Sequence, residues 1–362
     1  MRFPPRLAMA LALPALTTAA TAQAPARFAA RVDSLVTAEV ARQQLVGVSV
    51  LVAERGRVVL ERGYGLANVE HRVAATPATI YQSGSLGKQF TAGLVLLLVE
   101  EGRLRLEDSV PRFFPGAPAG WGAVTIRHLL THTSGAGDYP DDFDFRHDWT
   151  EAELRDLILS RPFAFPPGSQ WAYSNLGYAL LGLIVREVTG RFYGDVLAER
   201  IFHPLGMVTA RVISEAAIVP NRAAGYRRVA GELQHQEWVA PMVNTTADGS
   251  LYLSVRDMAR WDAALHGGRL FRPETMAAIR TAVRLTDGST RPYGFGWGVG
   301  RSGPHAVMAH GGAWQGFRTH IVRYPEAGLT VVVFANVAGA DPGVIAYGIA
   351  SLWNPELGAL AE

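Results

Sequence analysis

Strand-like patterning occupies both ends of this chain and helical patterning fills its middle, a distribution that constrains the fold more than any other feature. Near the start, residues 46–53 and 57–64 are rich in β-branched side chains and flank Glu54-Arg55-Gly56, which reads as a hairpin turn. Beyond Gly294 the pattern returns: residues 305–309, 317–324 and 329–335 alternate or run apolar, with 325–328 as a connecting turn. Between about 108 and 248 the chain reads as mostly helical, with proline and glycine punctuation that suggests a separate lobe. With no internal repeat and no low-complexity linker, the simplest account is one compact α+β unit.

The helices carry start and stop signals. Phe28, Val32, Leu35, Val36 and Val40 have the spacing of an amphipathic first helix over 28–44. Residues 85–101 read as a strongly apolar helix stopped by Gly102, with Ser85 and Lys88 in its first turn. Another helix is expected over 175–189, ended by Gly190, and a last one over about 342–353. Thr150 with Glu153, and Ser254 with Asp257, have the spacing of capping boxes.

The first 22 residues read as an export signal: Arg2 and Arg6, an apolar stretch over 7–20, and a small-residue site at Ala20-Thr21-Ala22. Cleavage there leaves residues 23–362 as a mature bacterial protein, periplasmic or secreted. It also removes two of the 34 basic residues against 32 acidic ones, so the formal charge falls from +2 to zero and no nucleic-acid surface is implied. The absence of cysteine excludes a disulfide, a thiolate nucleophile and a lipid-modified N-terminal cysteine. The most apolar internal run, 92–99, falls far short of the roughly 20 residues of a membrane span, so no stable membrane anchor is expected.

Of the 34 basic residues, 33 are arginine and one, Lys88, is lysine. Arginine is never deprotonated in a protein, whereas lysine can serve as a base. That single lysine lies three residues after Ser85; with 15 serines in 362 residues, chance would place it so about once in 24 times. A serine hydroxyl needs a neighbouring base and donors for the developing oxyanion. At a spacing of three on a helix the two side chains share a face, and the helix start supplies free N–H groups and partial positive charge. The competing reading is that Ser85 merely caps a helix.

Two further segments follow in order. Tyr173-Ser174-Asn175 offers a phenol and a carboxamide just before a helix, and His310-Gly311-Gly312 lies on an expected strand whose glycines let a substrate backbone approach. With these three motifs the chain resembles the serine β-lactamase and penicillin-recognising family, which includes class C β-lactamases, D-alanyl-D-alanine carboxypeptidases and family VIII esterases. The likeness runs from about Phe28 to Trp353. It takes in the segments 84–91, 128–135, Pro204-Leu205-Gly206-Met207, Asp248-Gly249-Ser250 and 310–317.

The resemblance implies a sheet built from both chain ends, a helical lobe between, and an active site at their junction, working without cofactor or metal. It implies that Ser85 is acylated, that Lys88 and Tyr173 share the proton transfers, and that the backbone N–H groups of Ser85 and Ala313 form the oxyanion hole. Asn175 is expected to hold Lys88 and the substrate, with His310 and Gly312 on the substrate-binding strand. Where relatives acting on penicillins have Lys-Thr-Gly, this chain has His-Gly-Gly, which points to an esterase or a D-amino-peptide hydrolase taking a small-molecule or peptide substrate. A penicillin-binding D,D-carboxypeptidase or β-lactamase, and a non-catalytic binding protein retaining the fold, are the alternatives.

Other candidates receive structural readings. His128 and His132 are spaced like a zinc pair, but Leu129 follows the first and no third ligand is evident, so a role in the helix and turn is expected. Asp138 and Tyr139 either line the cleft or form a loop. Trp314 and Tyr293 either shape an acyl pocket or belong to the core.

Overall fold

A computed structural model describes residues 18–359; the expected export signal lies outside the described residues over 1–17. Seven strands form one antiparallel sheet: β1 (Gly47–Glu54), β2 (Arg57–Asn68), β3 (Val73–Ala74), β4 (Gly298–Ser302), β5 (His305–Trp314), β6 (Phe317–Tyr324) and β7 (Leu329–Ala335), in the order β4-β5-β6-β7-β1-β2-β3. The two chain ends meet where β1 pairs with β7, Val48 opposite Ala335 through Glu54 opposite Leu329. Between β1 and β2 the turn residues Arg55 and Gly56 both have positive φ, 49° and 73°, the two-residue turn whose twist matches a hairpin.

Both faces of this sheet are covered, which is why its central strands read as unbroken apolar runs. Val48, Val50, Val52, Val331 and Val333 point to one face, under α1 (Thr18–Arg42) and the C-terminal helix Pro342–Trp353. Leu51, Ala53, Val332 and Phe334 point to the other and join a larger core. That core contains α2 (Lys88–Glu100), α3 (Ile126–Leu130), α4 (Glu151–Ser160), α5 (Asn175–Thr189) and α6 (Val255–His266). On the same face, within the core, a buried pair joins Arg323 Nε to Asp262 Oδ1 at 2.7 Å, and Thr330 Oγ1 donates to the same oxygen.

The intervening segment owes its regular structure chiefly to helices, joined by long irregular stretches and by short strands at Arg211–Val212, Tyr226–Val229 and Glu232–His235. Thr150 and Ser254 each accept from the backbone of the residue three ahead, so both expected capping boxes form. A third, Thr125 with His128, opens α3: the His128 Nδ1 takes the place of the usual carboxylate and accepts the Thr125 N–H. Helix α5 ends at Gly190 with φ 72°. No helix among the described residues is long and apolar enough to cross a membrane.

Candidate active site

Ser85 does not sit in an α-helix. It lies in a 3₁₀ turn, Gly84–Gly87, that feeds directly into α2 at Lys88. The turn packs against β5 at backbone distance, which glycine permits in two places. A Cβ on Gly84, whose φ is 53°, would lie 2.5 Å from the Ala313 nitrogen; one on Gly312 would lie 2.0 Å from the Ser83 oxygen. Ser85 and Ala313 are thereby brought to a common mouth while Ser85 keeps partial access to solvent.

Lys88 is fully buried. Its Nζ lies 3.2 Å from Ser85 Oγ, 2.6 Å from Asn175 Oδ1 and 2.5 Å from the Asp248 carbonyl oxygen. The amide and backbone oxygens can only accept, so two amine hydrogens are directed to them. The remaining direction faces Ser85 Oγ. The rings of Tyr173 and Tyr178 flank the amine, at 4.8 and 5.5 Å from their centroids.

The orientation of Asn175 comes from a residue that sequence reading left undecided. Asp138 accepts from Asn175 Nδ2 at 2.9 Å, which fixes the amide so that Oδ1 faces the lysine. The same carboxylate accepts the Asn175 and Leu176 backbone N–H groups, while Ser174 Oγ accepts that of Gly177, so the start of α5 is fully capped. Tyr139, its neighbour, lines the cleft, and burial with the carboxylates of Asp248 and Asp138 holds its phenol well above the ordinary range.

His132 clamps Tyr173. Its carbonyl accepts the Ala172 N–H, its Nδ1 accepts the Ser174 N–H, and its ring lies tilted against that of Tyr173 with centroids 4.2 Å apart. The residue adopts φ 59°, a conformation a non-glycine residue holds only when its surroundings impose it. Burial and the nearby Lys88 push its pKa well below the usual value, so the ring is neutral. The Tyr173 Oη is buried and makes no hydrogen bond among the described residues.

His310 is also buried and neutral, its pKa lowered to about 3 chiefly by desolvation. Nδ1 lies 2.6 Å from the Gly311 oxygen and Nε2 3.0 Å from the Tyr293 hydroxyl, a pairing that assigns the proton to Nδ1. Both ring nitrogens are therefore engaged inside the protein. Tyr293 belongs to the buried layer behind the site, whereas Trp314 lines the cleft and donates through Nε1 to Asn244. His128 and His132 each use Nδ1 on a backbone N–H, and no cluster of potential metal ligands occurs among the described residues.

Two cavities meet at Ser85. One, of about 160 Å³, is lined by Tyr139, Phe145, Asn175, Asp248 and Trp314 among others; the second, of about 430 Å³, by Tyr173, His310, Gly312, Arg318 and His320. Such a constellation of nucleophile, amine, amide and phenol is suited to acyl transfer.

Comparisons with known proteins show what the chain is similar to. The Beta-lactamase family model matches residues 32–352. Penicillin-binding protein 4* of Bacillus subtilis (strain 168) is 32% identical over 307 residues, covering 80% of this chain and 67% of its own. A D-aminopeptidase of Gluconobacter oxydans (strain 621H) is 30% identical over 321 residues, covering 85% of this chain but only 59% of its own length. The crystal structure of a D-amino acid amidase from Ochrobactrum anthropi SV3, complexed with L-phenylalanine amide, superimposes with a TM-score of 0.78 at 25% identity, covering 91% of this chain and 97% of that one.

Proposed function

The chain belongs to the beta-lactamase family, and from that premise we propose that it is a serine hydrolase that forms an acyl-enzyme at Ser85 on ester or amide substrates. The observation that carries this reading is the 3.2 Å approach of Lys88 Nζ to Ser85 Oγ, with the amine's other contacts made to oxygens that only accept. In the first step the Ser85 proton passes to Lys88 as Oγ bonds to the substrate carbonyl carbon. The oxyanion formed is stabilised by the backbone N–H groups of Ser85 and Ala313. Collapse breaks the bond to the leaving group, which takes a proton from Lys88 or from Tyr173. Water then attacks the acyl-enzyme, and Ser85 departs with its proton restored.

Asn175 holds the amine, and Asp138 and His132 act as positioning residues for Asn175 and Tyr173. His310 contributes a neutral wall instead of the cation that a Lys-Thr-Gly motif provides, which favours esterase or D-amino-peptide hydrolase chemistry over D,D-carboxypeptidase or β-lactamase chemistry. The names of the D-aminopeptidase and D-amino acid amidase relatives support amides and peptides of D-amino acids as substrates. The basic and apolar first 22 residues support export.

Intact mass spectrometry after treatment with a fluorophosphonate tests the reading. The wild type is expected to gain one phosphonyl group and Ser85→Ala none. Labelling that persists undiminished in the alanine variant would place the nucleophile elsewhere.

A further inference from the structure

The smaller cavity contains one charged side chain, Asp248. Its backbone carbonyl serves Lys88, but its carboxylate faces a different set of groups: Thr246 Oγ1 donates to Oδ1 at 2.5 Å, and the Tyr139 hydroxyl reaches Oδ2 at a long 3.5 Å. An ionised carboxylate offers about four acceptor positions, and no arginine, lysine or histidine forms an ion pair with this one among the described residues. Three aromatic rings, Tyr139, Phe145 and Trp314, share the lining with the polar Asn175, Thr246 and Ser250. An acid left with spare acceptors among ring faces is a receptor for an ammonium group, which satisfies the carboxylate and is attracted by the rings.

The two cavities also differ in role. Tyr173, whose hydroxyl is free to protonate a departing group, lines the larger one, so the leaving half of a substrate lies there and the acyl half lies in the smaller. We propose that Asp248 binds a protonated amine on the acyl group, so that the preferred substrates are esters or amides of amino acids, or peptides, with a free α-amino group. This rests on the acyl-enzyme reading above, and it adds the group that selects among acyl donors.

The test compares three methyl esters that differ only at the α-carbon: alanine (each enantiomer), N-acetylalanine and propionate. Wild type is expected to favour the better alanine ester over the other two by tenfold or more in kcat/KM. In Asp248→Asn the ratio of alanine to propionate should fall at least tenfold, mainly through KM. Comparing the ratio between wild type and variant cancels the intrinsic reactivity of the amino ester. A wild type that hydrolyses N-acetylalanine ester as well as the free amine, or a variant that keeps the ratio, overturns the proposal. Fluorophosphonate labelling of wild type separates the two failures: a labelled Ser85 without amine preference removes the role of Asp248 alone, and absence of labelling removes the acyl-enzyme reading beneath it.

Discussion

At the scale of single residues, the proposed mechanism depends on an amine that can lose its charge, and the chain has one lysine among its basic residues. Replacing it by a permanent cation separates charge from basicity. Lys88→Arg is expected to lower kcat/KM on the order of 10³-fold, within the range assigned to a positioned general base. Steady-state kinetics, with circular dichroism to confirm folding, check this; equal activity of variant and wild type would sink the proposed base. Ser85, Lys88, Tyr173, Asn175 and His310 could be found in the sequence because motif spacing marks them. The role of Asp138 could not, since the amide it orients is 37 residues away. Asp248 serves a lysine 160 residues away through its main chain, and neither contact leaves a local pattern. A short acidic side chain beside glycine reads as an ordinary turn former, which is why the sequence leaves Asp138 open between cleft and loop and marks Asp248 as part of a family motif without a role.

At the scale of elements, the position of Ser85 is set by how closely a turn can lie against a strand. Gly84→Ala would push a methyl group to 2.5 Å from the Ala313 nitrogen at a φ of 53°. The variant is expected to lose about 1–3 kcal/mol of stability, and to slow fluorophosphonate labelling of Ser85 more than tenfold, because Ala313 must recede from the oxyanion. Thermal unfolding and the labelling rate read the two effects separately; unchanged labelling would mean that the approach of turn and strand is not what positions the oxyanion hole. The same glycines explain where element reading succeeded and stopped. Helix α5 and strands β6 and β7 match their expected limits because Gly190 ends the helix in a left-handed conformation and the apolar runs end sharply. Strand β5 runs on from the apolar 305–309 through His310-Gly311-Gly312, as expected for that motif, to Trp314, with Gly311 and Gly312 paired to His320 and Thr319 of β6. Ser85 occupies a 3₁₀ turn and not the α-helix expected, because Gly84 enters it with positive φ.

At the scale of the whole molecule, a sheet whose centre is made of the first and last strands holds the Ser85 turn against β5, while the intervening segment supplies Tyr173 and Asn175 from the other side. Strand patterning identified the pieces of that sheet, but the pairing of β1 with β7 is a contact between residues nearly 290 apart, and only the family resemblance implied it. Closing the two halves buries His132 and His310 as neutral rings, to 1% and 9% exposure. Their folded pKa values are depressed, that of His310 to about 3, against an ordinary value near 6.5. The unfolded chain therefore binds protons that the folded one refuses. Stability is fully present above pH 6.5 and declines as the pH falls below it, by about 1.4 kcal/mol per pH unit for each ring. Asp248, whose carboxyl is raised by burial, acts with the opposite sign. His320, lowered to about 4 by burial, acts in the same sense as His132 and His310, so urea unfolding is expected to give a folding free energy about 4 kcal/mol smaller at pH 5.5 than at pH 7.5. A level profile across that interval would mean that unfolding takes up no extra protons, and the assignment of these rings as buried and neutral would fall.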